Sequence, residues 1–195
     1  MLMAHGGGAM AHSVKENGHY VAYFSKTLGV KVFDVEYRLA PEAKQLQMVG
    51  DFYHALKYVY NNAEKLGVDK DKIIIQGCSG GAYVVNSTCS MLALKNESGM
   101  AKLYISEQAV VPEWFLNHEN DKDLDPLVAI CKYDNIPLAR FTADDVEKQL
   151  KAKDPIQFAT IAEDAVLQKW PPTVVITSEF DNFCPPMKEL SERLK

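Results

Sequence analysis

The sequence predicts an α/β fold, an open and mostly parallel sheet with helices on both faces, and three observations predict it. Short apolar or β-branched runs at residues 2–4, 30–35, 72–76, 101–106 and 173–177 alternate with segments of helical periodicity. The helical segments between the early strands are about the length that a right-handed crossover needs. The run Ile73-Ile74-Ile75 leads into Gly77-Cys78-Ser79-Gly80-Gly81 and then an apolar stretch of helical length at 82–94. A strand, a tight glycine-flanked serine and a helix are the context in which G-x-S-x-G carries chemistry, so Ser79 is the candidate nucleophile. The other reading of the motif is a glycine-rich strand-to-helix turn with no chemistry.

Each element follows from its own pattern. Leu2-Met3-Ala4 reads as a strand that breaks into His5-Gly6-Gly7-Gly8, a loop whose backbone N–H groups are free to approach something closely. Tyr20, Val21, Phe24 and Leu28 share one face of a helix over 15–28, with Gly29 as its stop. A strand at 30–35 and the polar turn Glu36-Tyr37-Arg38-Leu39-Ala40-Pro41-Glu42 come next. Met48, Val49, Phe52, Ala55, Leu56 and Val59 then recur at three- and four-residue steps, predicting an amphipathic core helix closed by Gly67, with His54 off its apolar stripe.

Asp69-Lys70-Asp71 turns the chain into the strand before Ser79. Residues 111–170, interrupted by four prolines, read as a lid-like insertion of short helices over the strand ends. Within it, Thr142 is the expected N-cap of a helix reaching about Lys151, and the acidic stretch around His118 reads as a solvated loop. After Pro171-Pro172 the strand at 173–177 runs into Ser178-Glu179-Phe180-Asp181, and a last helix starts near Pro185.

Bulk properties exclude several classes. At 195 residues the chain holds one sizeable core and reads as a single domain. A net charge of -5 argues against nucleic acid or an anionic membrane surface as partner. No apolar run approaches the ~20 residues needed to cross a bilayer. The start carries no basic segment of a signal peptide. Cys78, Cys89, Cys131 and Cys184 are widely spaced with no C-x-x-C, which argues against a zinc site or a disulfide framework and for a reducing, cytoplasmic setting. No metal or cofactor is expected.

Ligands of parallel sheets bind outside the carboxyl ends of the strands, where both the glycine loop and Ser79 fall. Asp181, 102 residues after Ser79, also lies past a strand's carboxyl end and fits a chain order of Ser, acid, His; Glu179 is the alternative acid. Taken together, His5-Gly6-Gly7-Gly8, Tyr37-Arg38-Leu39-Ala40-Pro41-Glu42, Gly77-Cys78-Ser79-Gly80-Gly81 and Glu179-Phe180-Asp181 resemble the hormone-sensitive-lipase-like family of α/β-hydrolases. The resemblance implies the α/β-hydrolase fold and a serine carboxylesterase or lipase-like hydrolase of short-chain acyl esters. It implies Ser79 as nucleophile, Asp181 as the acid that orients the base, and the N–H groups of Gly7, Gly8 and Gly80 as oxyanion hole. In this motif His5 organises the loop.

Two departures from the family pattern stand out. The elbow usually reads G-D-S-A-G-G, whereas Cys78 and Gly80 stand here. The family's catalytic histidine follows the acid, whereas no histidine follows Asp181 in the 14 residues after it. The expectation is therefore a partial α/β-hydrolase domain, truncated at both ends with about five strands, lacking the general base and liable to self-associate through uncovered sheet edges. The competing function is a non-catalytic, receptor-like small-molecule binder or an inactive fragment of the same fold; amide hydrolysis would share the machinery.

Overall fold

The computed structural model describes residues 1–111, 154–181 and 183–195. The strands β1 (Leu2–Ala4), β2 (Phe33–Val35), β3 (Ile74–Cys78), β4 (Leu103–Glu107) and β5 (Thr173–Ile176) form one sheet in the order β2-β1-β3-β4-β5. Every pairing is parallel. The expected open parallel sheet is what forms, and its strand order reverses direction next to β1, the kind of place where such sheets bind ligands.

The helices are α1 (Gly18–Leu28), α2 (Gln45–Asn61), α3 (Gly80–Leu94), α4 (Asp164–Leu167) and α5 (Cys184–Arg193). Register decides which side chains share a face: Leu2, Ile75 and Tyr104 align on one side, while Met3, Gln76, Ile105 and Val174 align on the other. The first side is the core, where Val49, Phe52 and Leu56 of α2 and Val84, Val85 and Leu92 of α3 are fully buried. Helix α3 is buried almost all round, as expected of an apolar helix set between a sheet and a second helix. Several polar groups on this side find partners. Tyr104 Oη donates to Asn86 Oδ1 at 2.8 Å, and Gln45 Nε2 donates to Ser87 Oγ at 3.0 Å and to Gln157 O at 2.8 Å.

Several boundaries move from the sequence reading. Helix α2 ends at Asn61 rather than running to Gly67, which instead sits in a following turn at φ 62°. Strand β3 starts two residues later than read and carries through Gly77 and Cys78, so the elbow is the strand's own end. Helix α1 stops at Gly29, which takes the left-handed conformation as expected, but its apolar face is not core: α1 buries no residue, and Tyr20, Tyr23 and Leu28 are exposed. Periodicity marks an apolar stripe without saying whether anything covers it. The helix predicted at Thr142, His118 and most of the 111–170 insertion lie outside the described residues. Among the described residues no helix is long and apolar enough to cross a membrane.

Candidate active site

Ser79 stands between β3 and α3 with φ 51° and ψ -118°, outside the regions an ordinary L-residue favours. Such strain persists only where the surroundings over-determine it. Here the N–H of Ser79 donates to Glu107 O at 2.8 Å, and its carbonyl accepts from Tyr83 N at 3.1 Å and Val110 N at 3.4 Å. The turn is pinned on one side by β4 and on the other by the first turn of α3.

The glycines around it are required by close approach. A Cβ on Gly81 would overlap the carbonyl oxygens of β1, lying 2.5 Å from His5 O, so only glycine lets α3 start against the end of β1. A Cβ on Gly80 would lie 2.5 Å from Ala9 N and 2.8 Å from Gly8 N. The glycine at 80, a departure from the family's alanine, thus lets the His5–Gly8 loop settle directly onto the residue after the serine. A Cβ on Gly6 would stand 3.5 Å from Ser79 Cβ, which places the loop against the serine itself. Gly7 and Gly8 hold positive φ of 105° and 63°, and Gly7 O accepts from Met10 N and Ala11 N, closing the loop on itself.

The segment after β2 braces that loop. Tyr37 Oη donates to His5 O at 2.6 Å, its ring stacks on the His5 ring at 4.5 Å, and Ala40 N donates to Ala9 O at 2.9 Å. Burial pushes the Tyr37 hydroxyl pKa far up, so it stays a donor. Arg38 grips Asp51 of α2 through Nε at 2.8 Å and Nη2 at 2.7 Å, and this hydrogen bonding holds the Asp51 carboxyl below the usual range. The chain Asp51, Arg38, Tyr37, His5 therefore ties the glycine loop to the core helix α2. His5 takes the loop-organising place that the motif implies.

Asp181 lies in the loop past β5, where its carboxylate Oδ1 accepts from Phe183 N at 2.8 Å. The hydrogen bonds described for it stay within its own turn into α5, where its N–H donates to Ser178 O and its carbonyl accepts from Cys184 N. The ends of β4 and β5 are joined by Gln108, whose N–H donates to Ile176 O and whose Nε2 donates to Ser178 Oγ at 2.7 Å. The structure thus brings Gly6, Gly7, Gly8, Ser79 and Gly80 together and places Asp181 in the loop beyond β5, which is separated from β3 by β4. His54 is exposed on α2. Glu107 was not singled out from the sequence, yet it pairs in register with Cys78 and accepts from Gln76 Nε2 at 3.2 Å. An acid closing a strand was the available signal. Burial first, and the Glu107 charge second, push the Cys78 thiol up to about 11.

This arrangement and the sheet that carries it define an α/β-hydrolase. The chain belongs to the family described as alpha/beta hydrolase fold, whose profile matches residues 1–195. It is 32% identical over 179 residues to a protein named arylesterase from Saccharolobus solfataricus, covering 91% of this chain and 56% of that protein. It is 31% identical over 77 residues to hormone-sensitive lipase of Mus musculus, covering 40% of this chain and 10% of the lipase. The solved esterase of Pyrobaculum calidifontis superposes with a TM-score of 0.77 at 28% identity, covering 99% of this chain and 61% of the esterase. The expected kinship with the hormone-sensitive-lipase-like esterases holds, and the chain spans less than two thirds of the length of these relatives.

Proposed function

We propose that this chain carries the nucleophile and oxyanion-stabilising part of a serine carboxylesterase acting on short acyl esters. Ser79 Oγ attacks the ester carbonyl carbon, and the negative charge that develops on its oxygen is met by the N–H groups of Gly7, Gly8 and Gly80. Collapse of the tetrahedral intermediate expels the alcohol and leaves an acyl-serine, which water hydrolyses to the acid and free serine. Asp181 is the acid assigned to orient a histidine base. The observation that carries this reading is the seating of Gly8 on Gly80 beside a serine held at φ 51°.

No histidine follows Asp181 within these 195 residues. Loss of a triad member removes most of the rate while leaving the oxyanion hole, so slow acylation is the expected behaviour of these 195 residues. The alternative reading is a non-catalytic small-molecule binder on the same scaffold. A fluorophosphonate probe followed by peptide mass mapping separates them. Covalent labelling at Ser79, absent from Ser79→Ala, is the expected result; an unlabelled Ser79 in a folded protein favours the binder.

A further inference from the structure

Beside the elbow, on the side of the sheet away from α2 and α3, lies a cavity of about 220 Å³. Gly6, Gly7 and Cys78, next to the serine turn, are among its lining residues, and the exposed residues His12, Glu16 and His19 line it as well. Its size suits one small group rather than a whole drug-sized ligand.

The lining is rich in acceptors. Glu16 and Glu107 bring two carboxylates, and no Lys or Arg is among the described lining residues. His5 Nδ1 lies 2.8 Å from Gly6 O, and His19 Nδ1 lies 3.0 Å from Glu16 O. A carbonyl oxygen only accepts, so each Nδ1 carries a hydrogen. Two of these groups are buried without a partner: His5 Nε2, in a residue 2% exposed, and Gln76 Oε1, in a residue 3% exposed. Gln76 is held by its own donation to Glu107, which leaves its carbonyl oxygen with nothing to accept from. A buried acceptor without a donor is costly, and a ligand that donates hydrogen bonds and carries positive charge satisfies both Gln76 Oε1 and the two carboxylates.

We propose that this cavity receives the protonated amine of the substrate, so that the preferred substrates are ammonium-bearing esters. The proposal rests on reading Ser79 as the nucleophile, because it assigns the cavity to the same substrate. The amine could sit on the alcohol half or the acyl half of the ester, and two matched pairs tell these apart. One is 2-(dimethylamino)ethyl acetate against its neutral isostere 3-methylbutyl acetate. The other is ethyl 4-(dimethylamino)butanoate against ethyl 5-methylhexanoate.

Calorimetric titration of the Ser79→Ala protein at pH 7 and low ionic strength reads affinity without turnover. The expected result is at least about tenfold tighter binding of the ammonium ester in one pair, falling below about threefold when Glu107→Gln is added. Glu16→Gln, at an exposed position, should reduce the preference as well and serves if Glu107→Gln fails to fold. Equal affinity within both pairs, no measurable binding of either ammonium ester at millimolar concentration, or a preference that neither glutamine substitution reduces would overturn the proposal. A preference that persists in a protein whose Ser79 takes no phosphonate leaves the cavity assignment standing and removes the esterase reading. Labelling of Ser79 with no ammonium preference does the reverse.

Discussion

The two faces of one sheet differ sharply. On the α2/α3 side, Leu2, Ile75 and Tyr104 are buried; Tyr104, Gln45 and Thr88 have hydrogen-bond partners, while the Ser90 and Ser106 hydroxyls are buried without one. On the other side Val174 is 46% exposed and Ile176 47%, α1 buries nothing, and Gln76 and His5 each keep a buried atom without a partner. The same strands supply both faces, since alternate residues of a strand point opposite ways. One face is built for stability. The other holds the cavity lined by Gln76, Glu16 and Glu107 next to Cys78.

The largest expected effect tests where the two functions meet. Gly81→Ala drives a Cβ into the backbone carbonyls of Ala4 and His5. The protein should lose its cooperative unfolding transition or several kcal/mol of stability, read by urea denaturation followed by circular dichroism.

The contrast between faces can be broken directly by a pair of strand substitutions. Ile75→Ala, in the packed layer, should cost about 2–5 kcal/mol, whereas Val174→Lys, on the uncovered side, should change stability by no more than about 0.5 kcal/mol. The lysine should also lower concentration-dependent association in sedimentation velocity, because a charge on an edge strand discourages edge pairing. Equal costs for the two variants would mean that the second face is covered in solution.

The smallest effect concerns protonation beside the serine. Cys78 has its pKa raised to about 11, so its thiol stays neutral, and unreactive towards iodoacetamide, up to well above the pH at which an ordinary cysteine ionises. Because Glu107 adds to the shift, Glu107→Gln should move the alkylation profile of the Cys78 peptide to lower pH. A profile centred near an ordinary thiol value in the unaltered protein would contradict the buried geometry of this side chain.

Much of this molecule was legible in the amino-acid sequence because its signals are local. Three isoleucines before Gly77, the three- and four-residue steps of 48–59 and Gly29 after Leu28 each report on a few neighbouring residues, and strands, helix α2 and the stop of α1 follow from them. The elbow was legible for the same reason, since a strained serine turn demands glycines at fixed offsets. What depends on long-range packing was not. That α1 keeps its apolar stripe exposed, that Glu107 stands beside Cys78, and that Gly80 admits the His5–Gly8 loop are consequences of strand register and of which faces meet. By itself the sequence determined a parallel α/β sheet and a candidate nucleophile. Only the tertiary structure decided that the serine adjoins an acceptor-rich cavity, because residues 5, 16, 76 and 107 become neighbours only when β1, β3 and β4 pair side by side.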